Sequence, residues 1–303
     1  MELHSDITRI ALVGPLHFIG EAFLAHIIAQ NTQIQIWVLS SSWGVQLPHS
    51  DQIHPLVLDN EELTNGNWDQ YGWQAVLHFV SKHAENSLGY QKQVWHEKQF
   101  LSAFFKDESE TDTLKPKYIE VEIDWVFQSE YSDTAPIDFS ESLFLDVYPK
   151  RLAVVVNNVL GIGMQQNHWL PLFVTALKEQ TSFGMPAEAQ VLRDWIGLDD
   201  YIRGIVCLMH SGHYEKTYPL VGLNEWSTRD LMLLVGEAYD AFHKLEVGCF
   251  KRLLRNQKES CRPGYGTTLN GLDFFMERSD WKPASIVDLV QQMIQTNTKT
   301  KEQ

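Results

Sequence analysis

The stretch ALVGPLHFIGEAFL, residues 11–24, constrains the fold of this chain more than any other feature. An apolar strand pattern ends at Gly14, a short turn follows, and a helical pattern begins near Gly20. A strand, a tight turn and a helix whose N-terminus faces an anion form the usual cradle for the pyrophosphate of a dinucleotide. The stretch therefore predicts a dinucleotide-binding unit at the start of the chain.

The turn in this stretch departs from the usual glycine pattern. Gly14 and Gly20 are spaced as the first and third glycines of a GxxGxxG loop, but His17 occupies the middle position. A side chain there would crowd the phosphates, because the second glycine of such loops lets the backbone approach them closely. The candidate cofactor-binding residues of the loop are Gly14, His17, Phe18, Ile19 and Gly20.

The end of the second predicted strand, residues 34–40, lacks the usual ribose ligand. Leu39 and Ser40 stand where an aspartate or glutamate would hold the ribose hydroxyls of NAD, and no arginine follows closely to bind a 2′-phosphate. Ser40 is therefore a further candidate cofactor-binding residue, and the choice between NAD and NADP stays open.

Strand patterns alternate with helical patterns through the first half of the chain. This alternation predicts an α/β fold, a Rossmann-like parallel sheet with helices on both faces. The strands are predicted at residues 9–14, 34–40, 53–59, 74–80, 117–127 and 151–163, and the helices at residues 20–30 and 91–105.

The second half is more helical and predicts a smaller substrate lobe. We expect a dinucleotide-binding-type domain over residues 1–165 and a lobe over residues 166–295. Segments at about 190–225 are expected to return to the first domain, since residues 218–222 look like a strand of its sheet. The polar residues 296–303 are expected to form a frayed tail.

Composition limits the possible partners. The net charge of −15 argues against binding to nucleic acid or to an anionic membrane surface. Three cysteines without a CxxC pair indicate a reducing compartment, and neither a secretory signal nor an apolar run of ~20 residues is present. We therefore expect a cytoplasmic protein. His210 and His213 have a ligand-like spacing, but no third ligand is close in sequence, so no metal site is predicted.

Two later motifs carry a family resemblance. RDWIGLDDYIRGI, residues 193–205, and RPGYGTTLNGLDFFMERSDWKP, residues 262–283, resemble the extended short-chain dehydrogenase/reductase superfamily. They look most like the nucleotide-sugar 4,6-dehydratases and epimerases of the NAD-dependent epimerase/dehydratase type. Residues 122–130 and 146–153 look like the related dTDP-4-dehydrorhamnose reductases and their non-catalytic relatives. The resemblance runs from about residue 8 to residue 295.

The resemblance implies a tightly held NAD or NADP and a nucleotide-linked sugar or similar polar metabolite as substrate. It places Arg193 and Arg262 against the nucleotide or its diphosphate, which suits the planar fork of donors on arginine. A structural ion pair with Asp194 or Asp199 is the alternative role for Arg193. By the same resemblance, His78 lies where the fourth strand of the family ends with a histidine close to the cofactor.

The catalytic positions of the family are only partly filled. The family uses a tyrosine, a lysine four residues later on the same helix, and a serine or threonine on the preceding strand. Tyr148 stands at the tyrosine position, but Leu152 replaces the lysine, and the hydroxyl position falls on Glu122 or Ile123. Arg151 could supply the charge if the turn is one residue shorter. The candidate catalytic residues are Tyr148, Arg151 and Asp124, the last as an acid or base in a different chemistry.

Two functions follow from this pattern. The chain is either an NAD(P)-dependent oxidoreductase, epimerase or dehydratase, or a catalytically degenerate binding, regulatory or scaffold subunit. The expected partner is a small nucleotide-linked molecule in the first case and a protein in the second. A homodimer would use two helices per subunit, one near residues 92–106 and one after Tyr148.

Overall fold

Within the residues that the structure describes, seven strands form one parallel sheet. The computed structural model describes residues 7–14, 18–30, 33–40, 47–57, 71–80, 99–102, 116–123, 152–156, 158–161, 164, 168–186, 189–213, 216–255 and 281–299. The chain divides into two units. Unit 1 contains residues 1–156 and 202–219, and unit 2 contains residues 157–201 and 220–303.

The sheet lies in unit 1 and has the doubly wound topology. Its strands are β1 Arg9–Val13, β2 Gln35–Ser40, β3 Ile53–Val57, β4 Ala75–Val80, β5 Lys117–Ile123, β6 Leu152–Val156 and β11 Lys216–Pro219. Their spatial order is β11-β6-β5-β4-β1-β2-β3, and all neighbours are parallel. The chain order reverses between β1 and β4, and doubly wound sheets bind ligands beyond the strand ends at such a point. The predicted Rossmann-like fold is confirmed.

Both faces of this sheet are covered, which explains the continuous apolar strands. Ile10 and Leu12 leave one face of β1 and Ala11 and Val13 leave the other, and all four are at most 2 % exposed. The second face packs against Phe100 and Leu101, in the helical residues 99–102. Helix α1, Phe18–Ala29, follows β1 and buries Ile19, Gly20, Phe23, Leu24 and Ile27.

The predicted single strand over residues 151–163 is two strands. β6 ends at Val156, and the short β7, Val159–Leu160, belongs to unit 2. Between them, Asn158 lies in neither strand, and its Nδ2 donates to the carbonyl oxygen of Asp194, 3.0 Å away. In the sequence, Asn157 and Asn158 interrupt the apolar run between the two strands, and the single-strand prediction does not use this signal.

The chain returns to the sheet after helix α3, Leu198–Ser211. Residues 202–219 belong to unit 1, and β11 pairs in parallel with β6 at the edge of the sheet. The Nζ of Lys117 donates to the carbonyl oxygens of Leu208 and Met209 at the end of α3. A cation at the C-terminal carbonyls of a helix also complements its dipole. Partial burial lowers the pKa of Lys117.

Unit 2 is built from helices and short strand pairs. Its helices are α2 Trp169–Glu179, α4 Thr228–Phe242 and α5 Ile286–Lys299, and α3 adds its first turn. The further strands are β8 Phe183–Gly184, β9 Leu192–Asp194, β10 Ile196–Gly197, β12 Glu225–Ser227 and β13 Leu254–Arg255. They form the parallel pairs β7–β10 and β8–β13 and the antiparallel pair β9–β12. α5 continues to Lys299, so residues 296–299 of the expected frayed tail are helical.

Among the described residues, no helix has both the length and the apolar character that crossing a bilayer requires.

Candidate functional site

Gly14, the residue directly after β1, has a backbone conformation that suits the tight turn of the loop motif. Gly14 has a φ of +96°, a conformation that side-chain-bearing residues rarely adopt. A Cβ at Gly14 would lie 2.5 Å from the carbonyl oxygen of Phe79 and 3.5 Å from Cδ2 of His78. Glycine is therefore required here for two reasons, namely the positive φ and the close approach of β4.

In the described part of this site, the protein backbone suits a dinucleotide, but the nearby side-chain charge does not. α1 begins at Phe18, four residues after Gly14, and the N–H groups in the first turn of such a helix are the usual pyrophosphate ligands. Glu21, however, is exposed in the first turn of α1, where its charge already compensates the positive end of the helix dipole. An anionic ligand at this end would meet a like charge. His17 lies outside the described residues.

The candidate ribose position is the last residue of β2. β2 ends at Ser40, which pairs in register with Val57 of β3, and the preceding Leu39 is buried. Neither position carries a carboxylate, so the ribose would lack the charged acceptor that dinucleotide-binding sheets usually provide there.

His78 lies beside the Gly14 turn and is completely buried. It stands opposite Val13 in the β1–β4 register, and its Nδ1 is 2.8 Å from the hydroxyl oxygen of Tyr118 on β5. The sequence pattern singled out His78 but not Tyr118. In a strand pattern, a buried tyrosine looks like any other apolar residue, because its ring fits the apolar positions. The pattern does not show that the tyrosine hydroxyl needs a hydrogen-bond partner.

The residue at the lysine position lies in the sheet. Leu152, four residues after Tyr148, is the first residue of β6, where it is buried and pairs with Ile119 and Lys216. A tyrosine and a lysine four residues apart face the same side only on a helix. The strand predicted from residue 151 is therefore confirmed over residues 152–156, and the helix that the family resemblance implies after Tyr148 is absent from these residues. The expected homodimer interface, which would use a helix after Tyr148, therefore has no such helix at residues 152–156.

Several predicted site residues lie outside the described part of the chain. These are His17, Asp124, Tyr148, Arg151 and Arg262. Their assignments to the cofactor, the chemistry and the nucleotide stay predictions.

Arg193 and Asp194 are both buried in β9. Arg193 is 4 % exposed and pairs with Trp226 on β12. Asp194 is 2 % exposed and pairs with Glu225 on β12. Because successive strand residues point to opposite faces, the two side chains leave opposite sides of β9. This geometry disfavours an ion pair between them, the first of the two structural roles considered for Arg193.

The ionised carboxylate of Asp194 is disfavoured in the folded protein. Burial, and secondly the nearby charge of Glu225, raise the pKa of Asp194 to about 6. Neither carboxylate oxygen of Asp194 has a hydrogen-bond partner among the described residues, and Oδ1 of Asn158 is likewise buried without one. The position matches the aspartate of the quoted RD motif, whose sequence pattern does not reveal this cost.

The two motifs that carry the family resemblance meet in unit 2. Asp200, in the first turn of α3, accepts a hydrogen bond at its carbonyl oxygen from Nε1 of Trp281, 2.9 Å away. Its Oδ2 accepts another from the backbone N–H of Ala284, 2.6 Å away. These bonds fasten the end of the second motif to the first motif.

The described residues contain no group of three or more His, Cys, Asp or Glu side chains placed to hold a metal ion.

Comparison with sequences finds no relative. No family model matches the chain, and no curated protein matches it significantly.

Comparison with solved structures finds many similar chains. The dTDP-glucose 4,6-dehydratase of Bacillus anthracis in complex with NAD has a TM-score of 0.72 at 15 % identity, over 97 % of this chain and 98 % of that one. DesIV, the dTDP-glucose 4,6-dehydratase of Streptomyces venezuelae with NAD and TYD bound, has a TM-score of 0.70 at 16 % identity, over 97 % and 98 %. WbmF of Bordetella bronchiseptica in complex with NAD⁺ and UDP has a TM-score of 0.67 at 13 % identity, over 97 % and 93 %.

At these identities the likeness establishes the fold. The predicted resemblance is confirmed at the level of the fold. This chain therefore has the fold of the dTDP-glucose 4,6-dehydratases and the related NAD-dependent epimerases and dehydratases.

Proposed function

We propose that this chain is a catalytically degenerate relative of the NAD-dependent dehydratases and epimerases, acting as a dinucleotide-binding or regulatory subunit. The proposal rests above all on Leu152. In the family pattern, a lysine at this position holds the cofactor ribose and lowers the pKa of the tyrosine. Leu152 has no charge and is buried in the sheet. A tyrosine that lacks this lysine and has the ordinary pKa near ~10 is a poor proton donor or acceptor at neutral pH.

The cofactor side of the proposal rests on the β1–Gly14–α1 unit. The N–H groups at the start of α1 would hold the pyrophosphate, and the Gly14 turn would let the backbone approach it. When bound, the nicotinamide of such a cofactor supplies a donor or acceptor of hydride. The structures compared above carry NAD, which supports the same ligand class for this chain. Glu21 and the missing acidic residue at Ser40 favour weaker binding than a complete loop would give.

A turnover assay tests the catalytic part of the proposal. The purified protein is incubated with NAD⁺ or NADP⁺ and separately with dTDP- and UDP-linked hexoses, and nicotinamide absorbance and sugar products are followed. We expect no turnover in the wild type and no further change in Tyr148→Phe. Turnover that Tyr148→Phe abolishes would contradict degeneracy and establish the enzyme alternative.

That alternative, an NAD(P)-dependent oxidoreductase, epimerase or dehydratase on a nucleotide-linked sugar, has one specific observation in its favour. Gly14, the first residue of the expected cofactor loop, has the positive φ and the close contact with β4 that such a loop requires. Asp124 or Arg151 would then replace the missing catalytic groups. A cytoplasmic location and a homodimer remain parts of the proposal, to be tested by fractionation and light scattering.

A further inference from the structure

Three buried polar side chains lie on neighbouring strands of the sheet of unit 1. His78, Tyr118 and Glu120 are each 0 % exposed. His78 and Glu120 are register partners on β4 and β5, and Tyr118 stands two residues before Glu120. Register partners on parallel strands, and residues two apart on one strand, leave the same face of a sheet. The three residues therefore form one buried polar cluster.

One hydrogen bond orients the histidine of this cluster. Nδ1 of His78 and the hydroxyl oxygen of Tyr118 are 2.8 Å apart, and both groups lie in the closely packed core. Buried polar groups persist when they are hydrogen-bonded, and removing one partner leaves the other desolvated without compensation. The Tyr118 hydroxyl therefore restricts the rotation of the His78 ring.

The opposite edge of the ring lies towards the Gly14 turn. Cδ2 of His78 would lie only 3.5 Å from a Cβ at Gly14, and the carbonyl oxygen of Phe79, the next residue, would lie 2.5 Å from it. The turn thus rests on β4 at residues 78–79. A change in the orientation of the His78 ring would reach the turn through direct packing, since close-packed interiors transmit small displacements.

From these contacts we infer that Tyr118 is a positioning residue for the dinucleotide loop: through His78 it sets the position of the Gly14 turn. The chain of contacts runs from the Tyr118 hydroxyl to His78 Nδ1, and from the His78 ring to Gly14. The effect of Tyr118 on ligand affinity rests on the proposed dinucleotide binding, but its effect on the turn does not.

The test uses Tyr118→Phe, which removes one hydroxyl and keeps the ring in the core. The matched control is Tyr218→Phe, another buried tyrosine of unit 1, whose hydroxyl accepts from the backbone N–H of His213, 2.9 Å away. Two properties of the full chain are measured, namely amide hydrogen exchange without ligand and the Kd for NADH.

We expect Tyr118→Phe to accelerate exchange in peptides spanning residues 10–20 and to leave the α4 peptides of unit 2 unchanged. The Kd for NADH should rise about fivefold, which corresponds to roughly 1 kcal/mol for the loss of one buried hydrogen bond. Tyr218→Phe should leave both properties close to the wild-type values, even if it lowers the Tm similarly.

Unchanged exchange at residues 10–20 in Tyr118→Phe would overturn the inference. So would an equal effect of Tyr218→Phe, because it would indicate general loosening of unit 1. If the wild type binds no NADH, the exchange measurement still decides whether Tyr118 positions the turn, and only the proposed ligand is lost.

Discussion

Asp194 lies directly opposite Glu225 on the antiparallel pair β9–β12, so two carboxylates leave the same side of one small ribbon. Like charges directly opposite on neighbouring strands are destabilising. Asp194 is in addition buried, and it has no hydrogen-bond partner among the described residues to offset its desolvation. The folded state therefore disfavours the ionised form of this side chain.

Asp194→Asn should stabilise the protein at neutral pH. The pKa of Asp194 is about 6 in the folded state, against 3.8 as the ordinary value. The unfolded chain therefore loses the proton first, and stability falls as pH rises from about 4 to about 6. At pH 7.5 the variant should gain roughly 2 kcal/mol, the free energy of a shift of this size after some solvent screening. Below pH 4 the gain should vanish.

Urea unfolding of both proteins at pH 4, 5, 6 and 7.5 measures this pattern. Glu225→Gln is the control, and its gain should be smaller, because burial outweighs the charge of Glu225 in raising the pKa. A loss of stability in Asp194→Asn at pH 7.5 would show that the ionised carboxylate has a favourable partner.

His168 should give the opposite pH dependence. Its Nδ1 accepts a hydrogen bond from the backbone N–H of Leu170 and caps α2, and burial lowers its pKa to about 4. The unfolded chain takes up this proton near pH 6.5, so stability falls as pH drops from about 6.5 to about 4. Protonation also removes the acceptor that caps the helix.

His168→Asn should keep the cap and abolish this loss, because asparagine caps helices well and does not titrate. His168→Ala should lose about 1 kcal/mol at pH 7.5, the usual contribution of an N-cap. Thermal unfolding at pH 5 and 7.5 distinguishes the variants. A wild-type pH dependence that survives in His168→Asn would contradict the assignment to His168.

Gly14→Ala should be far more damaging than Gly72→Ala. A Cβ at Gly14 meets the carbonyl oxygen of Phe79, which is backbone and cannot move aside, and φ is +96°. We expect a loss of about 3 kcal/mol or more in the free energy of unfolding. Gly72 also has a positive φ, +59°, but its Cβ would meet only the flexible side chain of Arg9, at 3.4 Å.

For Gly72→Ala we therefore expect a loss of about 1 kcal/mol, the strain of a left-handed residue. Both variants lie in unit 1, so the comparison separates backbone crowding from strain alone. Equal losses, measured by denaturant unfolding, would mean that the contact with β4 contributes nothing.

The local patterns of the sequence predict most of the sheet, because β-branched and apolar runs indicate the strands and their alternation with helices indicates parallel pairing. The single-strand prediction misses the division between β6 and β7, although the sequence marks it. Asn157 and Asn158 interrupt the apolar run there, and Asn158 bonds to Asp194. That the two strands belong to different units depends on their pairing partners, which are distant in sequence.

The candidate site is predictable where a backbone requirement fixes the residue type. Gly14 is such a position, since its φ and its contact with Phe79 allow only glycine. The hydroxyl of Tyr118 and the orphaned carboxylate of Asp194 are not predictable in this way. Their roles depend on what three-dimensional packing places beside them, which no spacing along the chain encodes.

Equilibrium titration of NADH and NADPH, followed by the fluorescence of the ten tryptophans, tests dinucleotide binding by this chain. We expect saturable quenching by at least one of the two, with a micromolar Kd that weakens in Gly14→Ala. No change with either cofactor, in protein whose circular dichroism shows the native α/β fold, would contradict dinucleotide binding. The Gly14 turn would then serve only to pack β1 against β4.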